Sequence, residues 1–289
     1  MPSMSDIETI LRRISVRGYR DEAVSSDLLR QLVTAGEQAE PLTSIRVRTH
    51  LDEQAAVQRG MTGLLGDYGK VIRAPHYLVL TAEEGAHGLL DAGYRFEQVL
   101  LVATRLGLGT CWIGGFFREE RVSAAFELGP GERVVALSPV GYPQERGAKG
   151  VLGRVIRSAV RSSRRKAPGQ LFFWERLGAP LPVGLAERPC PERWLEAIRR
   201  APSWANKQPW RYVLEPESVL VLKQGSQLKE DKDYHVVDCG IGMAHLHLAA
   251  RELGFEGSWE LDPVVADLPG DVTAVARYRL PRPLERCLG

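Results

Sequence analysis

Residues 91–113 read DAGYRFEQVLLVATRLGLGTCWI, and residues 238–260 read DCGIGMAHLHLAARELGFEGSWE. Laid on one another without a gap, they share seven of 23 positions: Asp91/Asp238, Gly93/Gly240, Leu101/Leu248, Ala103/Ala250, Leu106/Leu253, Gly107/Gly254 and Trp112/Trp259. In both copies apolar residues recur at three- and four-residue spacing, and a Gly follows where a helix would stop. Both therefore predict a long helix. A weaker pairing sets DLLRQLVTAGEQA (27–39) on RWLEAIRRAPSWA (193–205), sharing Leu29/Leu195, Ala35/Ala201 and Ala39/Ala205. Any two amphipathic helices share leucines and alanines. A Gly and a Trp at the same offsets past the helix, and the same order of both pairings, point instead to an internal repeat.

Strand-like runs lie around these helices: HYLVLTA (76–82), ERVVALSPVGY (132–142), RYVLEP (211–216), SVLVLK (218–223) and DVTAVARYRL (271–280). Each half thus predicts an α+β layout, a small sheet flanked by helices. The chain divides on this reading into a first repeat over 1–150, a basic linker over 151–170 and a second repeat over 171–289. Gly107-Leu108-Gly109 lacks the third Gly of G-x-G-x-x-G, which argues against a Rossmann dinucleotide fold.

The 289 residues carry 38 basic and 36 acidic side chains, a net charge of +2, with 44% hydrophobic and 26% charged content. That balance suits a folded chain and excludes wholesale disorder. Apolar runs such as Val99 to Ala103 fall far below the roughly 20 residues of a membrane span. The opening MPSMSDIETILRRIS has acids and arginines where a signal peptide would be apolar. Cys111, Cys190, Cys239 and Cys287 are far apart, without metal-ligand spacing, so a cytoplasmic protein with no metal centre is expected. The charge is uneven. From Gly147 to Lys166 there is no acid, and seven Lys and Arg give +7, leaving −5 for the remainder. Such a run suits a nucleic-acid patch, a solvated linker or a phosphate cradle, and charge does not choose among them.

Four segments carry candidate chemistry. In RRISVRGYRDE (12–22), Arg13, Ser15 and Arg17 alternate, so an extended backbone projects them to one side. Two guanidinium forks around a hydroxyl suit a phosphate; an exposed arginine-rich segment is the other reading. In APSWANKQPWRYVLEP (201–216), prolines frame a loop bearing Ser203, Asn206 and Gln208, which suits the edge of a planar heterocycle or a plain turn between helix and strand. In GLGTCWIGGFF (107–117), Gly114 and Gly115 allow a backbone to approach a ligand, or simply a tight turn. SSRRKAP (162–168) clusters cations.

Together these segments resemble the nitroreductase family of FMN flavoproteins. The family's basic-x-Ser-x-basic opening appears as Arg13-Ile14-Ser15-Val16-Arg17, and its A-P-S-x-x-N-x-Q-P-W loop as residues 201–210 in full. GLGTCWIGG and VALSPVGYP (135–143) are similar to its late helix, flavin-facing loop and following strand. The resemblance implies that Arg13, Ser15 and Arg17, joined by Arg164 and Lys166, hold the FMN phosphate. It implies that Pro202, Ser203 and Asn206 contact the isoalloxazine, and that Ile113, Gly114 and Gly115 line it through backbone groups. Lys70, in DYGKVIRAP, matches a family lysine near the pyrimidine end, where a cation favours the reduced flavin; an exposed loop lysine is the alternative. Trp112, Phe116 and Phe117 are wall residues of a pocket or part of the core.

Ordinary members are single-repeat chains that pair as two-fold dimers with two FMN sites, each drawing on both subunits. Here the Arg-Ser-Arg segment occurs only in the first half and the APSWAN loop only in the second. The first half reads Ala35-Gly36-Glu37-Gln38-Ala39-Glu40 in the loop's place, and the second reads Glu260-Leu261 around the place of Gly114-Gly115. The resemblance therefore implies a nitroreductase-like α+β fold of two tandem repeats fused as an intramolecular pseudo-dimer, a monomer with one FMN per chain. NAD(P)H is the implied co-substrate. The acceptor is a small molecule (a nitroaromatic, quinone or enone), reduced in a ping-pong cycle without a catalytic side chain. A non-catalytic FMN carrier or sensor is the alternative. No nucleic acid or membrane partner is expected, since the basic run lacks interleaved aromatics before Phe172. His245 and His247 are two apart on a helix and cannot face one another, and His76, His87 and His235 read as structural or exposed.

Overall fold

The structure, a computed structural model, describes residues 4–52, 57, 72–115, 117–144, 164–185, 187–229 and 231–288. The chain forms two units, Arg12–Val160 and the pair of segments Met1–Leu11 with Arg161–Gly289. Helix α1 (Asp6–Arg12) belongs mostly to the second of these: the Ile7 N–H donates to Glu252 at 2.7 Å, and Asp6 pairs with Arg251 at 3.1 Å.

Within Arg12–Val160, helix α2 (Ser26–Gln38) starts at Ser25, whose hydroxyl accepts the Leu28 N–H and so satisfies one of the helix's orphan donors. Strands β1 (Val47–Leu51), β2 (His76–Glu83), β3 (Gly109–Thr110) and β4 (Glu132–Gly141) form one antiparallel sheet in the order β1-β2-β4-β3. Helix α3 (Gly88–Arg105) is the first repeated helix, and α4 (Glu119–Ser123) is a short turn before β4. The central pair β2 and β4 is buried along nearly its whole length, which is why both strands read as continuous apolar runs. Val79, Val134 and Leu137 share a core with Tyr19, Ile113 and Phe117.

The second unit contains β5 (Phe172–Trp174), α5 (Pro189–Arg199), β6 (Trp210–Glu215), β7 (Ser218–Gln224), a hairpin of β8 (Leu228–Lys229) and β9 (Lys232–Asp233), α6 (Tyr234–Glu252), β10 (Ser258–Leu261), β11 (Val272–Arg279) and α7 (Leu284–Leu288). Its main sheet runs β10-β11-β7-β6-β5. Read from the other edge, β6-β7-β11-β10 has the order and antiparallel pairing of β1-β2-β4-β3, and β5 adds a parallel edge beside β6.

The repeated helices end alike. Gly107 (φ 76°) and Gly254 (φ 79°) take the left-handed conformation that suits glycine. Past them, the Leu108 N–H reaches the Ala103 carbonyl at 2.9 Å, and the Phe255 N–H reaches that of Ala250 at 3.0 Å. These are the closing bonds of a Schellman motif. Helix α6 is buried almost all round, and several of its polar groups, and those packed on it, find internal partners. His245 Nδ1 pairs with the Ala197 carbonyl, His247 Nε2 with Glu256, and the Trp194 indole donates to the Leu246 carbonyl. No described helix is long and apolar enough to cross a membrane.

All five expected strands are present within two residues of their expected ends. The weaker sequence pairing is corrected. Helix α2 continues through Gln38, so Ala35 to Gln38 are helical and do not occupy the place of the APSWAN loop, whereas α5 stops at Arg199. Matching the helix ends sets residues 40–45 (EPLTSI) opposite 201–206, with Pro41 opposite Pro202 and Glu37 inside α2. Three shared apolar residues on two amphipathic helices do not fix a register.

Candidate functional site

The cationic segment lies along β3. Ser15 forms a parallel bridge with Thr110, and the Val16 N–H donates to the Thr110 carbonyl at 2.8 Å. This close approach requires a glycine: a Cβ on Gly109 would meet three Val16 side-chain atoms at 2.8 Å. Alternation then sends Arg13, Ser15 and Arg17 toward α3 and Cys111. Arg13 is deeply buried, its Nε 3.3 Å from Glu97 Oε1, with the two side chains 2% and 0% exposed. At that distance the contact is an ion pair, and neither Nε nor Nη1 of Arg13 has a hydrogen-bond partner among the described residues. Burial pushes the Cys111 thiol up, against the opposing charges of Arg17 and Arg13 and a hydrogen bond with Ser15. Burial thus disfavours the thiolate, and the donors around the thiol are cationic.

The next segment is tied to the same place. Trp112 donates its indole N–H to Glu97 Oε2 at 2.6 Å and sets its ring edge-on to Phe96. Ile113 then pairs with Leu137 through two backbone hydrogen bonds of 2.8 and 2.9 Å, which fixes the course of the chain into Gly114 and Gly115. Phe117 joins the core cluster. Lys70, Phe116 and the basic residues 149–163 lie outside the described residues.

In the second unit the APSWAN loop is held from two sides. Buried Asp238, on α6, accepts the Trp204 N–H with both carboxylate oxygens, at 2.9 and 3.1 Å. Burial raises its carboxyl well above the ordinary value, and the Trp204 bond only partly offsets this. Beyond Trp204, three non-glycine residues take left-handed backbone: Ala205 (φ 45°), Asn206 (φ 57°) and Gln208 (φ 50°). Each costs on the order of 1 kcal/mol or more, so the surroundings must over-determine the shape.

They do so through the segment 164–166. The buried Gln208 side-chain amide accepts the Lys166 N–H at 2.8 Å and donates to the Arg164 carbonyl at 3.2 Å, pairing with the backbone as a neighbouring strand would. Asn206 donates to the Arg164 carbonyl at 2.6 Å and accepts from the Arg165 guanidinium at 2.9 Å. Ser203 Oγ accepts the Gln208 N–H at 2.9 Å. Lys166 Nζ donates to the Gln208 carbonyl at 3.1 Å. Burial first, and then the like charges of Arg211 and Lys207, lower the Lys166 pKa to about 8. Pro202 is buried, while Arg164 keeps an exposed side chain.

The structure thus brings Arg13, Ser15 and Arg17 together within one unit, next to the strand leading to Ile113, Gly114 and Gly115. It brings Arg164 and Lys166 together with Pro202, Ser203 and Asn206 within the other. Sequence reasoning missed Glu97, Asp238 and the clasp made by Gln208. An acid inside an apolar helix was the available signal for the first two, and a polar amide between prolines in the quoted loop for the third.

A family model described as "Putative TM nitroreductase" matches residues 6–250. A "Putative NADH dehydrogenase/NAD(P)H nitroreductase" of Methanothermobacter thermautotrophicus is 26% identical over 159 residues, 49% of this chain and 79% of that protein. A protein of the same description from Archaeoglobus fulgidus is 43% identical over 58 residues, 19% of this chain and 33% of that protein. Among solved structures, a "putative nitroreductase" of Thermotoga maritima matches 97% of this chain and 95% of its own with a TM-score of 0.59 at 20% identity, a likeness of fold.

Proposed function

Because the chain belongs to the nitroreductase family, whose model spans residues 6–250, and is on that ground an oxidoreductase, we propose that it works with one FMN per chain. When bound, FMN would supply the redox chemistry between NAD(P)H and a nitroaromatic, quinone or enone, in a ping-pong cycle. The chain's own work is to bind, orient and exclude water, as a monomer.

The observation that carries this reading is the cationic segment on β3. Two guanidinium groups and a hydroxyl converge there, with Arg13 Nη1 buried and lacking a hydrogen-bond partner among the described residues. A buried donor without an acceptor is costly, and a phosphate accepts several such bonds at once. Ser15 and Arg17 would bind the same group. The Ile113-Gly114-Gly115 backbone, held against β4 at Leu137, would line the flavin ring. Taken by itself, the other unit presents the strained APSWAN loop as a surface of fixed shape. The side chain of Asn206 and the Ser203 oxygen hold that surface in shape, and Arg164 and Lys166 supply cations beside it. Lys70 would favour the reduced cofactor.

The test is the colour and stoichiometry of purified protein. One FMN per chain at saturation, with rapid anaerobic bleaching by NADH or NADPH and reoxidation by a quinone, is the expected result. Two FMN per chain, or none, would overturn the stoichiometry or the cofactor. A bound flavin that neither nucleotide bleaches would assign the protein to flavin carriage instead of turnover.

A further inference from the structure

Glu97 belongs to none of the segments that carry the family resemblance, yet it joins two of them. It sits on α3 with no exposed surface, its Oε2 2.6 Å from the Trp112 indole nitrogen and its Oε1 3.3 Å from Arg13 Nε. One carboxylate therefore ties the cationic segment to the residue immediately before Ile113-Gly114-Gly115. The repeat offers an internal control. In the gap-free pairing Trp112 falls opposite Trp259, but Glu97 falls opposite Ala244. The acid is present in the unit that has the Arg-Ser-Arg segment and absent from the one that lacks it.

A buried ion pair of this kind gains little net stability, because desolvating both charges offsets their attraction, whereas removing one partner is strongly destabilising. Packing alone would be served by an apolar residue such as the Ala of the other unit. What the carboxylate adds is geometry and charge. It sets a counter-charge 3.3 Å from Nε, an ion-pair contact that leaves both Nε and Nη1 without a hydrogen-bond partner among the described residues, and it neutralises part of the charge that an incoming anion would feel.

We propose that Glu97 is a positioning residue for the cofactor phosphate: it fixes Arg13 with Nη1 available to the anion, and it sets the anion affinity of the cationic segment below the maximum the two arginines could give. This rests on the FMN reading of the same site. With Glu97 in place, Arg13 already has a counter-charge before the phosphate arrives. With a neutral residue there, the phosphate becomes its counter-charge, so the protein without ligand loses stability while discrimination in favour of the phosphorylated flavin grows.

The test compares FMN with riboflavin, which lacks only the phosphate. Full-length apoprotein of the wild type and of Glu97→Gln is titrated with each flavin by fluorescence quenching at fixed ionic strength, and thermal stability is measured with and without inorganic phosphate. The riboflavin-to-FMN ratio of Kd values is expected to rise about tenfold in Glu97→Gln, and phosphate to raise its Tm more than that of the wild type. If Glu97→Gln does not fold, Glu97→Asp, which keeps the charge but withdraws it by one methylene, is expected to shift the ratio in the same direction by a smaller factor. Wild type that binds FMN while the folded variant's ratio stays within about twofold of it would overturn the role of Glu97 alone, leaving the acid a packing residue. Wild type that binds neither flavin would overturn the FMN reading, and this role with it.

Discussion

The two units use the same device to different ends. In each, an Asp near the start of the long repeated helix receives the chain just past the preceding helix. Asp91 accepts the Leu42 and Thr43 N–H groups at 3.0 and 3.2 Å and the Thr43 hydroxyl at 2.8 Å. Asp238 accepts the Trp204 N–H alone among these loop groups, with both oxygens. After the Asp91 anchor the chain passes into β1 with ordinary backbone; after Asp238 it takes three left-handed residues within four positions and is clasped by Gln208. Among the described residues, a common scaffold thus carries left-handed non-glycine backbone after the Asp238 anchor and none between the Asp91 anchor and β1. Stored strain of this kind marks the loop whose shape matters beyond holding the fold.

The largest effect should come from breaking the charge that only one unit holds. Arg13→Ala strands buried Glu97, and is expected to lower stability by about 3–5 kcal/mol in urea unfolding, with Arg13→Met/Glu97→Met recovering most of it. A loss below about 1 kcal/mol in the single variant would mean the pair is solvated after all.

The two Asp anchors come next. Asp91 receives three donors on two oxygens, so Asp91→Asn turns an amide NH2 against a donor and should cost about 2–3 kcal/mol. Asp238 is pushed toward its neutral form, and Asp238→Asn should cost less than about 1 kcal/mol at neutral pH. Equal losses in thermal melts would show that the two anchors are not electrostatically different.

A smaller pair tests the strain itself. Ala205→Gly relieves a left-handed residue and should stabilise by about 0.5–1 kcal/mol, whereas Ser44→Gly, at the matched position without positive φ, should destabilise by a similar amount. The same sign in both would remove the contrast between the loops.

The smallest effect is a pH slope. The folded pKa of Lys166 is lowered to about 8, below its ordinary 10.5, so between these values the unfolded chain binds the extra proton. Stability should therefore rise with pH across that window, weakly because Lys166 is partly solvated, and Lys166→Met should flatten the rise.

Much of the fold was readable before the structure. Gly107 and Gly254 stop their helices as expected, and the five apolar runs are strands, because each such signal is local to a few consecutive residues. The alternation of Arg13, Ser15 and Arg17 also predicted a shared side, and the bridge of Ser15 to Thr110 realises it. The loop register was misread because helical leucines and alanines repeat at a spacing that tolerates sliding. Only the helix end at Gln38 and the Asp91 anchor place residues 40–45 opposite the APSWAN loop.

The sequence by itself determined the α+β class, the paired helices, the family and the confinement of the cationic motif to one half, since periodicity, composition and contiguous motifs are properties of the chain. The tertiary structure alone decided that Glu97 links Arg13 to Trp112, that Asp238 pins Trp204, and that Gln208 holds Lys166 from 42 positions away. These depend on which side chains meet across elements. A buried acid or amide in a sequence shows that a partner is needed, and only packing names the partner.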